Sequence, residues 1–436
     1  MPRDVRDLAW SGESDDALGL FDAAIDATAS FHGDPLGLCK KALEIDPGLH
    51  AARLLQGHVL ALSLNAPFRA AAARAIAPLD DPAVAFCERE GLHKAAIEAW
   101  LAGEPMRASA ILAGIVERWP RDLMALFFSH QADFFAANND AMLPRLDQAL
   151  EGWNEGLAGH SWLLGMRAFA LEEAGRYAEA EDLAIGAVER QPLDAWAIHA
   201  RGHVLEMQGR TEEGIAWYRS TEEQWSKDCF FAVHNWWHRA LYHLDREEFD
   251  DALALYDRGI APDERSISLN LCDAAALLWR LWLRGVDTGG RWPVVAERFE
   301  AHSEAPCHIF NDVHAGLSFA ACGQWERFDA HRARLAGTAG TASGHAAMLR
   351  DLGLPAIDAA GALARGRAVD AADLLEAAMP HEALMTGSHA QRDILPLTLI
   401  EAELRAGRGL SARRRLERRA GARPASAWIA RDLARC

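Results

Sequence analysis

Apolar residues recur at i, i+3 and i+4 along most of the chain, and alternating apolar–polar runs of the strand type are almost absent. The chain is rich in alanine and leucine, so the pattern predicts helix after helix. Breakers return at regular intervals: Gly103, Asn138–Asn139, Gly175, Gly209 and Asp245 lie about 34 to 37 residues apart. Each precedes a second helix that opens on an aromatic residue, an alanine or a glutamate-rich turn. The clearest unit is GRYAEAEDLAIGAVERQP (Gly175–Pro192). Gly175 ends one helix, Tyr177 and Ala180 pack the turn, and Pro192 stops the second helix. GRTEEGIAWY, REEFDDALALYD, GQWERFDAHRA, GRAVDAADLLEA and GRGLSARRRLE are later versions of it.

This is the period of two-helix repeats of the tetratricopeptide type. The predicted fold is all-α, a tetratricopeptide-like α-α superhelix (solenoid) curved around a central pocket. First helices are expected near 51–63, 83–101, 123–137, 161–174, 194–208, 229–244, 269–284, 308–321, 342–351 and 389–406. Second helices fall near 106–118, 177–190, 211–223, 247–259, 291–302, 325–336, 368–378 and 409–420. Residues 1–35 form a lead-in with a helix around Asp15–Phe31, and the Gly/Ala/Thr stretch 337–344 is the one flexible link. No long linker cuts the chain, so 1–436 is taken as a single continuous domain.

Charged and apolar fractions sit near globular averages, which excludes a disordered chain. The formal net charge of −18 argues against a nucleic-acid groove or an anionic membrane surface. The run Arg413–Arg419 (RRRLERR) is a local exception, expected as a solvated face of a terminal helix. Cys39, Cys87, Cys229, Cys272, Cys307, Cys322 and Cys436 are scattered and form no CxxC pair, the pattern of reduced thiols in a cytoplasmic protein. None sits in a protease-like signature, including Cys307 beside His308. No apolar run reaches the length of a bilayer span, and Met1–Leu20 carries acids in place of a signal-peptide core. A P-loop, a strand-linked GxGxxG and HExxH are all missing, so no nucleotide cofactor is expected.

In such a solenoid the first helix of each pair lines the concave surface. Eleven of the eighteen histidines fall on predicted first helices, with His308 at a boundary, against two, His302 and His331, on second helices. That sorting points to a polar centre. His199, His203 and Glu206 share one helix face at i, i+4 and i+7, and His234 and His238 repeat the i, i+4 spacing on the next first helix.

Several stretches resemble the tetratricopeptide-repeat protein 38 family. They are HNWWH (His234–His238) with RALYHLDREEFDDALALYD after it, FNDVH (Phe310–His314), SLNLCDAAALLWRLWLRGVDTGGRW (Ser268–Trp292) and GSHAQRD (Gly387–Asp393). DLMALFFSH (Asp122–His130) and DAWAIHARGHVLEM (Asp194–Met207) are similar too, and the resemblance spans about residues 20 to 405. It implies an all-helical repeat fold with a shared polar centre and implies no particular activity. One departure is ARGHVLEM where the family pattern has AVAHVxEM, which brings the charge of Arg201 near that centre.

His203, Glu206, His234 and His238 can set three imidazoles and a carboxylate around a divalent metal such as zinc, iron or manganese. Asp312 and His314 are expected to add ligands or orient them. Without a metal, His203 with Glu206, or His314 with Asp312, is a candidate general base. The same residues also suit a buried His–Glu–His hydrogen-bond network with Asn235 and Tyr242 as partners. Further ligand contacts are expected from His93, His130, His199, Trp237, Asp273, Arg280, Gln391, Arg392 and Asp393. The two arginines offer fork geometry for a carboxylate, with Asp273 or Asp393 as alternative salt-bridge partners. The expected function is binding, and chemical transformation, of a small molecule by general acid/base or metal-assisted chemistry. The alternative is a peptide- or protein-binding repeat scaffold without catalysis. Small-molecule or peptide partners are expected and nucleic acid and membrane are not, with homo-oligomerisation left open.

Overall fold

Why the chain folds as helix pairs is clearest in the Gly175–Pro192 unit. Helix His160–Glu173 runs into Gly175, whose φ of 74° is the left-handed conformation open to glycine. There the Gly175 N–H donates to Glu172 O (2.8 Å) and the Arg176 N–H to Leu171 O (2.9 Å), closing the helix end. The chain reverses, and Tyr177–Arg190 returns with Ala180, Ala184 and Ala187 buried as one stripe. The left-handed position comes back between the two helices of each later pair, at Gly209, Glu247, Gly285, Gly323, Gly366 and Gly407. It also occurs earlier, at Leu64, Gly103 and Ala137. The period read from breakers is therefore a period of helix capping.

The computed structural model describes residues 1–302 and 308–436, so Cys307 lies outside the described residues. The architecture is all-α, of tetratricopeptide-like helix pairs. No strand occurs among the described residues, only the isolated bridges Arg3–Ala9 and His32–Cys229. No described helix is long and apolar enough to cross a membrane. The chain divides into two compact units, Met1–Arg201 with Lys227–Phe231, and Gly202–Ser226 with Ala232–Cys436.

In the first unit helix pairs follow one another from Asp15–Ser30 to Tyr177–Arg190. In the second, the HNWWH helix (Ala232–Asp245) packs on the SLNLCD helix (Ser268–Leu283). That helix packs on the FNDVH helix (Ile309–Ala321), which in turn packs on Leu354–Ala364. First helices of successive pairs are thus neighbours, as the repeat requires.

Some elements differ from expectation, each for a local reason. Pro35–Ile45 is a helix that the period did not mark, started by Pro35 at its first position and by Asp34, which accepts from Gly37 N–H at 2.8 Å. Ala66–Ile76 and Met142–Leu150 were hidden in the same way by Pro67 and Pro144 near their first turns. The helix expected at 342–351 continues to Ala364: Pro355 lacks an N–H, and the chain passes it through a π-helical turn, Leu349–Gly353. Of the stretch 337–344, residues 337–339 finish helix Trp325–Ala339, and Ser343 caps the next helix through Ala346 N–H (3.1 Å).

Candidate metal centre

Two helices are drawn together where a side chain is missing. A Cβ at Gly202 would stand 2.1 Å from the Tyr218 hydroxyl oxygen, so only glycine lets the HVLEM segment (Gly202–Met207) approach. Tyr242, from the HNWWH helix, donates its hydroxyl to Gly202 O at 2.5 Å. This pairing sets His203 and Glu206 opposite His238, whose ring lies 4.4 Å from that of His203.

Glu206, His238, His234 and Asp273 then join in a chain. Glu206 Oε2 lies 2.7 Å from His238 Nδ1, and His238 Nε2 lies 3.1 Å from His234 Nε2. On the far side both oxygens of Asp273 reach His234 Nδ1, at 2.9 and 3.1 Å. An ionised carboxylate only accepts, so each Nδ1 carries a hydrogen, and a ring that is neutral then presents a lone pair on Nε2. The 3.1 Å contact is satisfied by a proton on one Nε2 or by a metal cation bound to both. One ring nitrogen each of His203, His234 and His238 lie within 4.8 Å of one another. Tetrahedral zinc with Zn–N of about 2.0–2.1 Å separates two ligand nitrogens by roughly 3.3 Å, close to the spacing found here.

Burial acts on both members of the Glu206–His238 pair. His203 and His238 are fully buried. Burial first, then the charges of His234 and Arg280, hold His238 well below the usual histidine range, so it is neutral at pH 7. Burial also raises Glu206, against the pull of Arg423, His203 and Arg280. Arg423 Nη2 stands 3.8 Å from Glu206 Oε1. Carboxylate–imidazole pairs of this kind fix tautomer and ring orientation around a bound metal. Glu206 therefore meets the Nδ1 side of His238, and Asp273 the Nδ1 side of His234.

The other expected residues are distributed as follows. Trp237 is fully buried and stacks on His234, with ring centroids 5.1 Å apart. Arg280 lies over Trp237 and donates to Ala276 O (3.1 Å) and Ala390 O (2.7 Å). Asp312 turns from the centre and pairs with His345 Nε2 at 2.9 Å, while His314 Nδ1 donates to Phe310 O at 2.7 Å. Asp312 and His314 thus do not form a pair. Gln391 closes a capping box with Ser388, Arg392 donates to Gly387 O, and Asp393 holds Arg419 by two bonds of 2.5 and 2.7 Å. In the first unit His93 joins His58 (3.1 Å) and Asp122 (3.1 Å), which also binds Arg89 (2.5 Å). His130 lies against Phe169 and Trp196 with both nitrogens buried and without a partner among the described residues. His199 stacks between Phe169 and Phe231, and Arg201 turns to Glu181 (3.4 Å).

Sequence reasoning missed Arg419 and Arg423, having assigned RRRLERR to a solvated face. Arg413, Arg414 and Arg418 are exposed, but Arg415 binds Glu403 and Arg419 binds Asp393. The signal was present as the i, i+4, i+8 stripe Arg415, Arg419, Arg423.

No protein-family model matches the chain. Among solved structures it is similar to the APC/C hetero-tetramer Cut9–Hcn1, at 14% identity over 96% of this chain and 76% of that one, TM-score 0.47. It is similar to the human IFIT1 dimer with m7Gppp-AAAA, at 12% identity over 99% of this chain and 95% of that one, TM-score 0.41. A third is the P58(IPK) TPR domain, at 12% identity over 74% of this chain and 99% of that one, TM-score 0.21.

Proposed function

We propose that this helical-repeat protein holds a divalent metal on His203, His234 and His238, and uses it to bind and transform a small molecule. The observation that carries the proposal is the pair of Nε2 atoms 3.1 Å apart, each ring backed by a carboxylate on Nδ1. Zinc, iron and manganese all suit such a set of imidazoles. A metal there supplies Lewis-acid polarisation of a bound oxygen. The chain's own part is to orient the rings and to bury two of them, His203 and His238. The stretches resembling the tetratricopeptide-repeat protein 38 family include HVLEM, HNWWH and SLNLCD, the segments that carry these five side chains. That coincidence supports taking the resemblance as one of site as well as of repeat.

Metal analysis of the protein purified without chelator is expected to find about one divalent ion per chain. The His203→Asn and His238→Asn variants should lose it while remaining helical by circular dichroism. A wild type that neither retains nor takes up zinc, iron or manganese would rule the proposal out. A second reading is a peptide- or protein-binding scaffold. It is favoured by an open surface groove lined by Glu212, Ile215, Arg219, His243 and Arg246. A metal-free protein whose Arg219→Glu variant loses a co-purifying partner would support that scaffold instead.

A further inference from the structure

Arg280 is 3% exposed, and among the described residues it has no carboxylate within ion-pair distance. Its two bonds to main-chain carbonyls use two of the five N–H groups of a guanidinium. The charges of Asp393 and Glu206 reach it only from beyond ion-pair distance, so its remaining N–H groups are open to a further acceptor, and an anion suits them best. Two further polar groups nearby lack partners. His314 Nδ1 donates to Phe310 O, so its Nε2 keeps a lone pair, buried and unpartnered. The Thr386 hydroxyl is likewise buried and unpartnered, on a backbone of φ 62° and ψ −172° that a β-branched residue rarely adopts.

Arg280 and His314 both reach the segment 386–390, Arg280 by a hydrogen bond and His314 by way of Phe310. Gly387 lies so close to Phe310 that a Cβ would come within 3.0 Å of the ring, and the Phe310 and His314 rings lie 4.5 Å apart. Arg280 holds the other end of that segment through Ala390 O. Burial first, and the Arg280 charge after it, bring His314 down to about 4, which keeps it a neutral acceptor. Arg280 also lies over Trp237, which stacks on His234.

We propose that Arg280, Thr386 and His314 anchor the oxyanion end, carboxylate or phosphate, of a small molecule whose neighbouring O–H or N–H donates to His314. Only the identification of that molecule with the ligand of the metal centre rests on the preceding reading. Arg280 and the Thr386 hydroxyl donate to the oxyanion, His314 Nε2 accepts, and Trp237 supplies an apolar wall.

The test is calorimetric titration of the full chain with acetate, lactate and inorganic phosphate, with bound metal measured on each sample. Lactate, which sets a hydroxyl beside a carboxylate, is expected to bind saturably and more tightly than acetate. Tighter phosphate binding that competes with lactate would also support the site and identify the oxyanion as phosphate. Arg280→Gln should weaken binding at least about tenfold with metal content unchanged. His314→Gln should erase the preference for lactate over acetate, and it decides the matter should Arg280→Gln fail to fold. No saturable binding of any of the three by the wild type overturns the proposal, as does unaltered affinity in folded Arg280→Gln or an unaltered preference in His314→Gln. Because metal is measured separately, an empty metal centre with intact anion binding removes the earlier reading and leaves this one standing.

Discussion

At the scale of single residues, the centre owes its character to the two carboxylates that back His234 and His238. Removing an imidazole leaves Glu206 or Asp273 buried without its donor, which costs roughly 1–3 kcal/mol in either a metal site or a plain hydrogen-bond network. A melt of the variant alone therefore does not separate the two. The chelator response does: wild-type protein should lose stability with EDTA, by about 3 kcal/mol where free metal stood at a hundred times its Kd. The His234→Asn/His238→Asn variant should melt at the same temperature with and without it. An EDTA-insensitive wild type would sink the metal.

The pH response has a definite sign. Burial, followed by Arg145, brings His130 to about 3, and His314 lies at about 4. Both sit below the unfolded value of about 6.5, so between these limits the unfolded chain binds more protons and stability rises with pH. At pH 5 each costs about 2 kcal/mol relative to neutral pH. Urea midpoints at pH 7 and pH 5 should show His314→Gln flattening the fall by about that amount, and an unchanged slope would refute it. Spacing made the partners of this centre legible in the sequence, since i, i+3 and i+4 settle which side chains share a helix face. The roles were not legible. Glu206 behind His238, and Asp312 turned to His345, depend on how neighbouring helices rotate, and no single-helix pattern contains that.

At the scale of elements, close approach of helices rests on small residues. A Cβ at Gly202 meets the Tyr218 hydroxyl at 2.1 Å, whereas Gly186, in the middle of Tyr177–Arg190, has nothing within 4 Å. Gly202→Ala should therefore destabilise by about 1–3 kcal/mol and weaken metal binding, because His203 moves with its backbone. Gly186→Ala should stabilise by roughly 0.5–1 kcal/mol and leave metal binding alone. Equal effects of the two in thermal melts would contradict the packing described. The helix pairs were readable because capping residues and apolar stripes are local. Helices Pro35–Ile45 and Met142–Leu150 were not, since a proline near the first turn looks like an interruption although it fits that position.

At the scale of the whole molecule, the proposed ligands His203, His234 and His238 and the carboxylates Glu206 and Asp273 all belong to the second unit. A bound metal stabilises only conformations that keep those side chains together. Helical repeats open in parts, because each pair is held mainly by its neighbours. Chelation should therefore lower hydrogen-exchange protection over 202–207, 232–245 and 268–283. Helices Glu88–Leu101 and Leu123–Phe135, built round the His58–His93–Asp122 network, should keep theirs. The exchange pattern also tests the assignment of ligands. Loss confined to the surface around His243, Glu248 and Asp251, a second group of possible donors, would place the metal there instead. That outcome runs against the burial of His203 and His238, since the surface trio is partly exposed and His243 already bonds Glu248 at 2.7 Å. Half-buried Glu248 and exposed Asp251 have water as a ready alternative to a cation, whereas the two facing ring nitrogens of His234 and His238 need a proton or a metal between them.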